Sequence, residues 1–266
     1  MKKSIPLLLC LVLVLSVAGC GKYALPDEVL SPLVADAILS DNEYDYRGSE
    51  ECRAEGHKIL GSSISGNRLT VYALTTFGCY GFENDMFIKV SGTGVIPAVI
   101  TFEANGREYN LLEIEYPRDG AEYTKSIKRM FPLRYRSAVL RQSESVYDEL
   151  SSQERSYAEA YLKSIGREAK IGEYADLHTV LLTDLGVSVD VSNQLVNDKR
   201  LAEYPYWIGT SEFIENGKRY VRSLNFDEKN NIIAYTTYEK ESEDIIEKYI
   251  FNASTGEELE PETFQK

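Results

Sequence analysis

The chain has 266 residues and a formal net charge of −13, from 42 acidic and 29 basic side chains. Hydrophobic residues make up 43% of it, which is enough to form a buried core and excludes a wholly disordered chain. The acidic excess argues against a nucleic-acid partner, because phosphate binding needs a basic surface.

The first twenty residues have the features of a bacterial lipoprotein signal. Lys2 and Lys3 precede an apolar run over residues 5–17. As a helix this run would reach only about 20 Å, which is too short for the ~30 Å membrane core. It ends in Val17-Ala18-Gly19-Cys20, which resembles a lipobox. The resemblance implies a signal peptide over residues 1–19 and lipid (diacylglycerol, palmitate) on Cys20. The alternative is an ordinary secretory cleavage site with a cysteine beside it.

The charge of the processed chain bears on how it would be held at a membrane. Removal of residues 1–19 takes away two lysines and no acid, so the formal charge changes from −13 to −15. Anionic lipid repels such a body, so the acyl chains on Cys20 would have to hold it in place. No second long apolar segment follows. We therefore predict a protein anchored at the outer face of the cytoplasmic membrane that does not span it.

Two cysteines remain in the predicted mature chain, Cys52 and Cys79. An even pair in an oxidising compartment predicts a disulfide. Closing a loop of about 27 residues would stabilise the fold by roughly 3–4 kcal/mol. Two buried free thiols and a metal pair are the alternatives, although His57 alone cannot complete a zinc site.

Residues 20–33 have no helical period and are assigned to a tether, and residues 34–175 to a first α+β domain. A short helix is predicted over residues 35–39. Four strands follow over residues 68–77, 86–90, 95–102 and 108–116, and Asn105-Gly106 forms a hairpin turn between the last two. Short turns favour an antiparallel meander. Helices are predicted over residues 121–130, and from a capping box at Ser151 and Glu154 to Gly166.

Residues 176–185 are assigned to a linker and residues 186–255 to a second unit. A helix is predicted over residues 191–201, followed by four strands over residues 207–213, 219–226, 232–238 and 246–251. Asn216-Gly217 and residues 227–230 supply the hairpin turns. Residues 256–266 form an acidic tail. The predicted fold class is α+β, with an antiparallel β-meander packed with helices and then a second small antiparallel α+β unit.

The sequence contains no G-x-S-x-G, H-E-x-x-H or S-x-x-K motif, each of which marks a class of enzyme. His57 and His178 are the only histidines, and we interpret each as a surface or packing residue rather than part of a triad. Glu113 and Glu115 share a strand face at about 7 Å, the spacing of an inverting glycosidase. We favour a solvated acidic face, with Leu112, Ile114 and Tyr116 on the core side.

A calcium loop is the remaining metal candidate. Asp41, Glu43 and Asp45 have the 1, 3, 5 spacing of an oxygen-ligand loop. The glycine comes two positions late, however, and Cys52 occupies the position of the final glutamate. A solvated loop is favoured, so we predict no metal, no cofactor and no catalytic residue.

Tyrosine is abundant, with 19 in the chain, many of them in or beside predicted strands. A large ring with a polar tip suits an interaction surface, but tyrosine also has high strand propensity. The densest cluster is Tyr204-Pro205-Tyr206-Trp207, which is either a binding platform or the hydrophobic plug of the second unit. The plug is favoured, because the one tryptophan of a small domain usually lies in its core. Tyr204, Tyr206 and Trp207 are nevertheless the candidate binding surface.

Several segments occur in an order and spacing that match one family. They are Ala37-Ile38-Leu39, Ala54-Glu55-Gly56-His57-Lys58-Ile59-Leu60-Gly61, Val71-Tyr72-Ala73-Leu74, Tyr80-Gly81-Phe82, Lys89-Val90-Ser91-Gly92, Gly94-Val95-Ile96-Pro97, Val99-Ile100-Thr101-Phe102-Glu103, Lys125-Ser126-Ile127, Met130-Phe131-Pro132, Ala160-Tyr161-Leu162 and Ile165-Gly166-Arg167-Glu168-Ala169. Together they resemble the extracytoplasmic region that follows the peptidase domain in Gram-positive membrane metallopeptidases of the β-lactam-sensor and antirepressor type. The resemblance covers about residues 34–175 and is looser over residues 204–221.

The chain departs from this family in the parts that carry activity. It lacks the multiple membrane spans, the zinc motif and the serine motif of the penicillin-binding sensors. The resemblance therefore implies a shared extracytoplasmic module of a Gram-positive bacterium and no shared reaction. No catalytic residue can be carried over, because no matching positions exist.

These observations predict a lipid-anchored binding, sensing or regulatory module that is not an enzyme. Its partners would be the membrane, through the lipid on Cys20, and either a membrane or envelope protein or a small ligand. The alternative is an extracytoplasmic hydrolase that acts on cell-wall or peptide substrates through carboxylates. A third interpretation is a structural envelope lipoprotein. A buried carboxylate pair in a cleft would favour the enzyme, and an exposed patch lined with tyrosine would favour the binder.

Overall fold

The structure is a computed structural model that describes residues 25–41, 51–106 and 108–260. The predicted anchor Cys20 and two members of the candidate calcium loop, Glu43 and Asp45, lie outside these residues. The predicted α+β fold class is confirmed, with helices packed on a largely antiparallel sheet. Within the described residues, no helix combines the length and the apolar character needed to cross a bilayer.

Five helices and ten strands make up the described part of the chain. The helices are α1 (Asp27–Ser40), α2 (Tyr123–Met130), α3 (Leu133–Leu140), α4 (Glu144–Ser164) and α5 (Val189–Val196). The strands are β1 (Cys52–Ser65), β2 (Arg68–Glu83), β3 (Met86–Gly92), β4 (Ile96–Asn105), β5 (Glu108–Glu115), β6 (Ile171–Gly172), β7 (Gly209–Glu215), β8 (Lys218–Asp227), β9 (Ile232–Glu239) and β10 (Ile245–Asn252).

The long strand β2 organises the sheet. On one side it pairs with β1 over Arg68 to Tyr80. On the other side it pairs first with β4, over Arg68 to Thr75, and then with β3, over Gly78 to Glu83. β5 extends the sheet beyond β4, and the short β6 lies parallel to β3. The meander β7–β10 joins this sheet through the pair Glu83–Ser211.

Helices cover both faces of the β1–β2 sheet. Because side chains alternate along a strand, β2 supplies two cores at once. α1 packs on one face through Leu30, Val34, Ala37 and Ile38. α4 and the pair α2–α3 cover the other face. A separate core lies between α5 and the sheet of the second unit, with Leu195 and Leu224 at its centre.

The predicted disulfide between Cys52 and Cys79 is absent from the structure, where both side chains are buried thiols. The strand register explains this. Cys52 lies opposite Tyr80, whereas Cys79 lies opposite Arg53. Directly paired residues share a face and neighbours along a strand do not, so the two cysteine side chains point to opposite faces. Cys52 belongs to the core under α4 and Cys79 to the core under α1.

This correction predicts the outcome of an alkylation experiment. Desolvation by burial, and then the nearby charge of Glu51, raise the pKa of Cys52 to about 12, so its thiol is protonated and unreactive at neutral pH. We expect no iodoacetamide adduct on Cys52 or Cys79 in the folded chain. Unfolding in denaturant without reductant should add one adduct to each. The opposite result would be peptide masses in which neither residue is alkylated after unfolding and both are alkylated once reductant is added. That result would show that the disulfide exists.

Two predictions about the first unit are wrong. α1 begins at Asp27, inside the predicted tether, and continues through Pro32. α4 begins at Glu144, so Ser151 and Glu154 lie in its interior instead of at a cap. Glu154 is buried, and its carboxylate pairs with Lys89 Nζ at 2.8 Å. Glu154, which the sequence suggested as a capping residue, therefore forms an ion pair with β3 instead. Gly166 follows the helix with a φ of 65°, as expected of a residue just beyond a C-terminus.

The second unit follows the predicted order of helix and four strands. The turn at Asn216-Gly217 is confirmed, since the φ values of 51° and 76° fit a type I′ hairpin. The helix is shorter than predicted and starts after Ser188, whose Oγ accepts a hydrogen bond from Val191 N at 3.2 Å. The start of the predicted tail pairs with β10, because Leu259 N donates to Ile250 O at 2.7 Å.

Candidate functional site

The two carboxylates considered for hydrolysis do not face each other across a cleft. Glu113 is exposed, and Glu115 pairs with Arg129 at 2.5 Å. Leu112 and Tyr116 are exposed rather than on the core side, because Leu112 lies at a register shift between β4 and β5 and Tyr116 follows the end of β5. Ile114 does pack against the core under α1. This geometry gives no support to the expected alternative of a carboxylate hydrolase at this place.

The structure also describes Asp41 of the candidate calcium loop and both histidines. Asp41 accepts a hydrogen bond from Tyr116 at 2.9 Å. His178 is exposed between the two units, whereas His57 is partly buried on β1. Among the residues that the structure describes, no three His, Cys, Asp or Glu side chains come together as a metal site would require.

The tyrosine–tryptophan cluster lies at a cavity of about 590 Å³. Trp207 is only 1% exposed and Tyr204 is buried, while Tyr206 is 59% exposed. The rings of Tyr206 and Trp207 meet edge to face at 4.7 Å. Tyr204 and Trp207 therefore fill the core, as the plug interpretation expected, and Tyr206 remains available at the surface. We call this space the inter-unit cavity.

The wall of the inter-unit cavity combines both halves of the chain. It lies beside the pair Glu83–Ser211, where the meander joins the first sheet. The first half contributes Glu51, Gly81, Glu83 and Val90, and the second contributes Ala202, Glu203, Tyr204, Tyr206, Trp207, Ser211, Glu212, Phe213, Ile214, Glu215 and Arg222. A volume of this size is within the range of small-ligand sites, about 300–1,000 Å³.

Trp207 carries a polar group that the fold leaves unused. Its indole Nε1–H is buried and has no hydrogen-bond partner within the described residues. A buried donor without an acceptor costs about 1–3 kcal/mol, so native proteins rarely keep one without a reason. The Trp207 side chain belongs to the cavity wall, so a ligand acceptor that reaches this N–H would satisfy it.

The cavity wall is acidic and aromatic. Five of its residues are glutamates and one is an arginine, Arg222. Arg222 lies 3.9 Å from the ring centre of Phe213 and 3.6 Å from the carboxylate of Glu203. Glu51 and Glu212 are paired with cations behind the wall, so the four aromatic residues of the wall are its main feature for a cationic ligand.

A buried network of charges supports the wall from behind. Glu212 accepts from Arg167 at 2.6 and 2.8 Å, from Arg219 at 3.2 Å and from Lys240. Arg219 makes a second, two-pronged pair with Glu51 at 2.6 and 2.7 Å. We call these five residues the junction network. Its members come from both halves of the chain, so it ties the two units together.

Desolvation and pairing act on the junction network in opposite directions. Burial raises the pKa of Glu212, but the hydrogen bonds and charges of Arg167 and Lys240 outweigh this and leave the pKa below its ordinary value. Tyr161 donates to Glu51 at 2.7 Å, and burial together with this bond raises the pKa of the tyrosine to about 12. The guanidinium of Arg167 stacks on Phe82 at 3.4 Å.

No local sequence pattern indicates the junction network or most of the cavity wall. The paired residues Glu51 and Arg219 are 168 positions apart, so no local spacing could reveal them. The only local signal was the aromatic cluster, which did mark the cavity.

No family model, curated protein or solved structure matches the chain. The resemblance to the sensor and antirepressor ectodomains therefore stays a prediction from the sequence.

Proposed function

We propose that the protein is a lipid-anchored, extracytoplasmic binding module that holds a small organic cation in the inter-unit cavity. The observation that carries the proposal is the buried indole N–H of Trp207, which has no partner in the described chain and belongs to a cavity wall. The lipobox at Cys20 supports the location at the outer face of the membrane.

The aromatic wall and the charge of the whole chain support a cationic ligand. Four aromatic residues line the cavity, and the net charge of −13 raises the concentration of cations around the protein. An ammonium or guanidinium group also gains about 0.5–2 kcal/mol over an aromatic face. A simple metal ion would not use the indole N–H. A ligand with both a cation and a carbonyl acceptor uses both features.

Short basic peptides meet these requirements. Their side chains carry the cation, and their carbonyl groups accept hydrogen bonds. Tyr206 is the exposed aromatic ring beside Trp207 and is the first side chain that an entering ligand would meet. The role is one of binding or sensing, as the sequence predicts, and it uses no catalytic group in this wall.

Trp207 is the only tryptophan of the chain, so its fluorescence reports on this cavity alone. We expect acetyl-trilysine amide to change the Trp207 emission in a saturable way that weakens as salt is added. Acetyl-trialanine amide and acetyl-triglutamate amide should have no effect at the same concentrations. The full-length chain, purified in detergent, is the sample.

Two variants separate the cavity from the rest of the surface. Tyr206→Ala should weaken the binding about tenfold, which corresponds to about 1.4 kcal/mol. Tyr147→Ala, which removes an exposed tyrosine from α4 outside the wall, should leave the binding unchanged. Equal responses to the lysine and alanine peptides would contradict the cationic ligand. No response to any of the three would contradict the small-ligand proposal and favour a protein partner.

A further inference from the structure

A second group of polar side chains lies on the opposite face of the β1–β2 sheet, under α1. Glu55 and His57 are two apart on β1, so both point to the face that α1 covers. His57 Nδ1 is 2.8 Å from Glu55 Oε2, and His57 Nε2 is 2.7 Å from Ser31 Oγ on α1. The three side chains form a hydrogen-bonded line of hydroxyl, imidazole and carboxylate.

The tautomer of His57 follows from its partners. An ionised carboxylate only accepts hydrogen bonds, so Glu55 requires the proton of the imidazole on Nδ1. Nε2 is then free to accept the hydroxyl proton of Ser31. In this arrangement the imidazole is oriented as the general base of a serine nucleophile, with Glu55 as the orienting acid.

The surroundings hold this line in place. Tyr157 donates to the second oxygen of Glu55 at 2.9 Å. The side chain of Gln153 accepts from the backbone N–H of His57 at 2.9 Å and donates to its carbonyl at 3.1 Å. These two bonds fix β1 at the position of His57. These partners come from α4, which reaches around the edge strand β1. The acid and base are therefore positioned by bonds on several sides, as a preformed site requires.

The three residues differ in how exposed they are to solvent. The side chain of Glu55 is 3% exposed and that of His57 is 9% exposed, whereas Ser31 is half-buried. Ser31 is thus the most exposed of the three residues, and the carboxylate of Glu55 is the most buried. The backbone N–H groups of Asp27 and Glu28 begin α1, so they have no acceptor inside the helix. They lie one helical turn before Ser31 on α1 and are the donors that we assign to a developing oxyanion.

We infer that Ser31, His57 and Glu55 form a nucleophilic site that accepts the acyl group of a carboxylic ester. Ser31 Oγ attacks the carbonyl carbon as its proton passes to His57 Nε2. The bond from carbon to the alcohol oxygen then breaks, and His57 returns the proton to the departing alcohol. Water next attacks the acyl-serine with His57 as base, which releases the carboxylic acid and restores Ser31. This site is separate from the inter-unit cavity.

A fluorophosphonate probe tests the inference directly. Its phosphorus forms a bond to Ser31 Oγ as fluoride leaves, which adds a defined mass to one residue. We expect one adduct per folded full-length chain, mapped to Ser31, and none after unfolding. Ser31→Ala should abolish the adduct, and His57→Gln should slow labelling about 100-fold or more. Ser40→Ala, at the exposed end of the same helix, should label at the original rate.

Melting curves of the variants separate loss of chemistry from loss of fold. Retention of the original melting temperature by His57→Gln, with slow labelling, would support the inference. Absence of any adduct on the folded original chain would overturn it, and so would an adduct on another serine. Labelling of Ser31 at an equal rate in His57→Gln would also overturn it, because the imidazole would then have no part in activation.

Discussion

Replacement of Glu212 by alanine should destabilise the protein by about 3–5 kcal/mol, because it removes one partner from a buried ion pair. The Glu212 side chain is 4% exposed and forms ion pairs with Arg167, Arg219 and Lys240. Without it, three cations face Glu51 alone. The free energy of unfolding from urea denaturation measures the effect.

A matched variant checks that burial is the cause. Glu159 pairs with Arg155 on the exposed face of α4, where both side chains are more than half exposed. Glu159→Ala should cost less than about 0.5 kcal/mol. Glu212→Gln keeps the shape and should cost nearly as much as Glu212→Ala. A loss below about 1 kcal/mol in both Glu212 variants would show that the junction network contributes no stability.

The junction network also determines how the stability of the fold changes at acid pH. The pKa of Glu212 is lower in the folded protein than its ordinary value of 4.5. The stability that Glu212 contributes is therefore complete above its pKa in the unfolded chain. It is lost as the pH falls through its lower pKa in the folded protein. The difference in stability between the original chain and Glu212→Gln should shrink as the pH is lowered below about 4.5.

Replacement of Phe82 by alanine should cost about 3–5 kcal/mol for a different reason. Phe82 is 1% exposed and packs against Phe87 with ring centres 4.7 Å apart. It also carries the stacked guanidinium of Arg167 at 3.4 Å. The substitution therefore opens a cavity in the core under α4 and loosens a member of the junction network at the same time.

Urea denaturation again gives the measurement, with two comparisons. Phe82→Leu keeps most of the volume and should cost less than Phe82→Ala, and Tyr147→Ala should cost within about 0.5 kcal/mol of zero because Tyr147 is exposed. The double variant of Phe82 and Glu212 should cost less than the sum of the two single variants, since both act on Arg167. Strict additivity would contradict a shared role.

Local patterns predicted the elements that local physics controls. The four strands predicted in each unit and the turn at Asn216-Gly217 follow from side-chain period and from φ preference, and the structure has them. The predicted start of α4 was wrong, because the spacing of Ser151 and Glu154 resembles a capping box. In the structure Glu154 instead forms an ion pair with Lys89. The disulfide failed for a related reason. Chain spacing cannot tell on which face of a sheet a cysteine lies.

The sequence by itself determined the α+β class, the acidic charge and the aromatic cluster at Tyr204–Trp207, because composition and short periods carry this information. Only the tertiary structure decided which distant side chains meet. It placed Ser31 against His57, Glu51 against Arg219, and Trp207 in a cavity wall. Each of these depends on strand register and on how α1 and the second unit pack, which long-range burial sets and no local motif encodes.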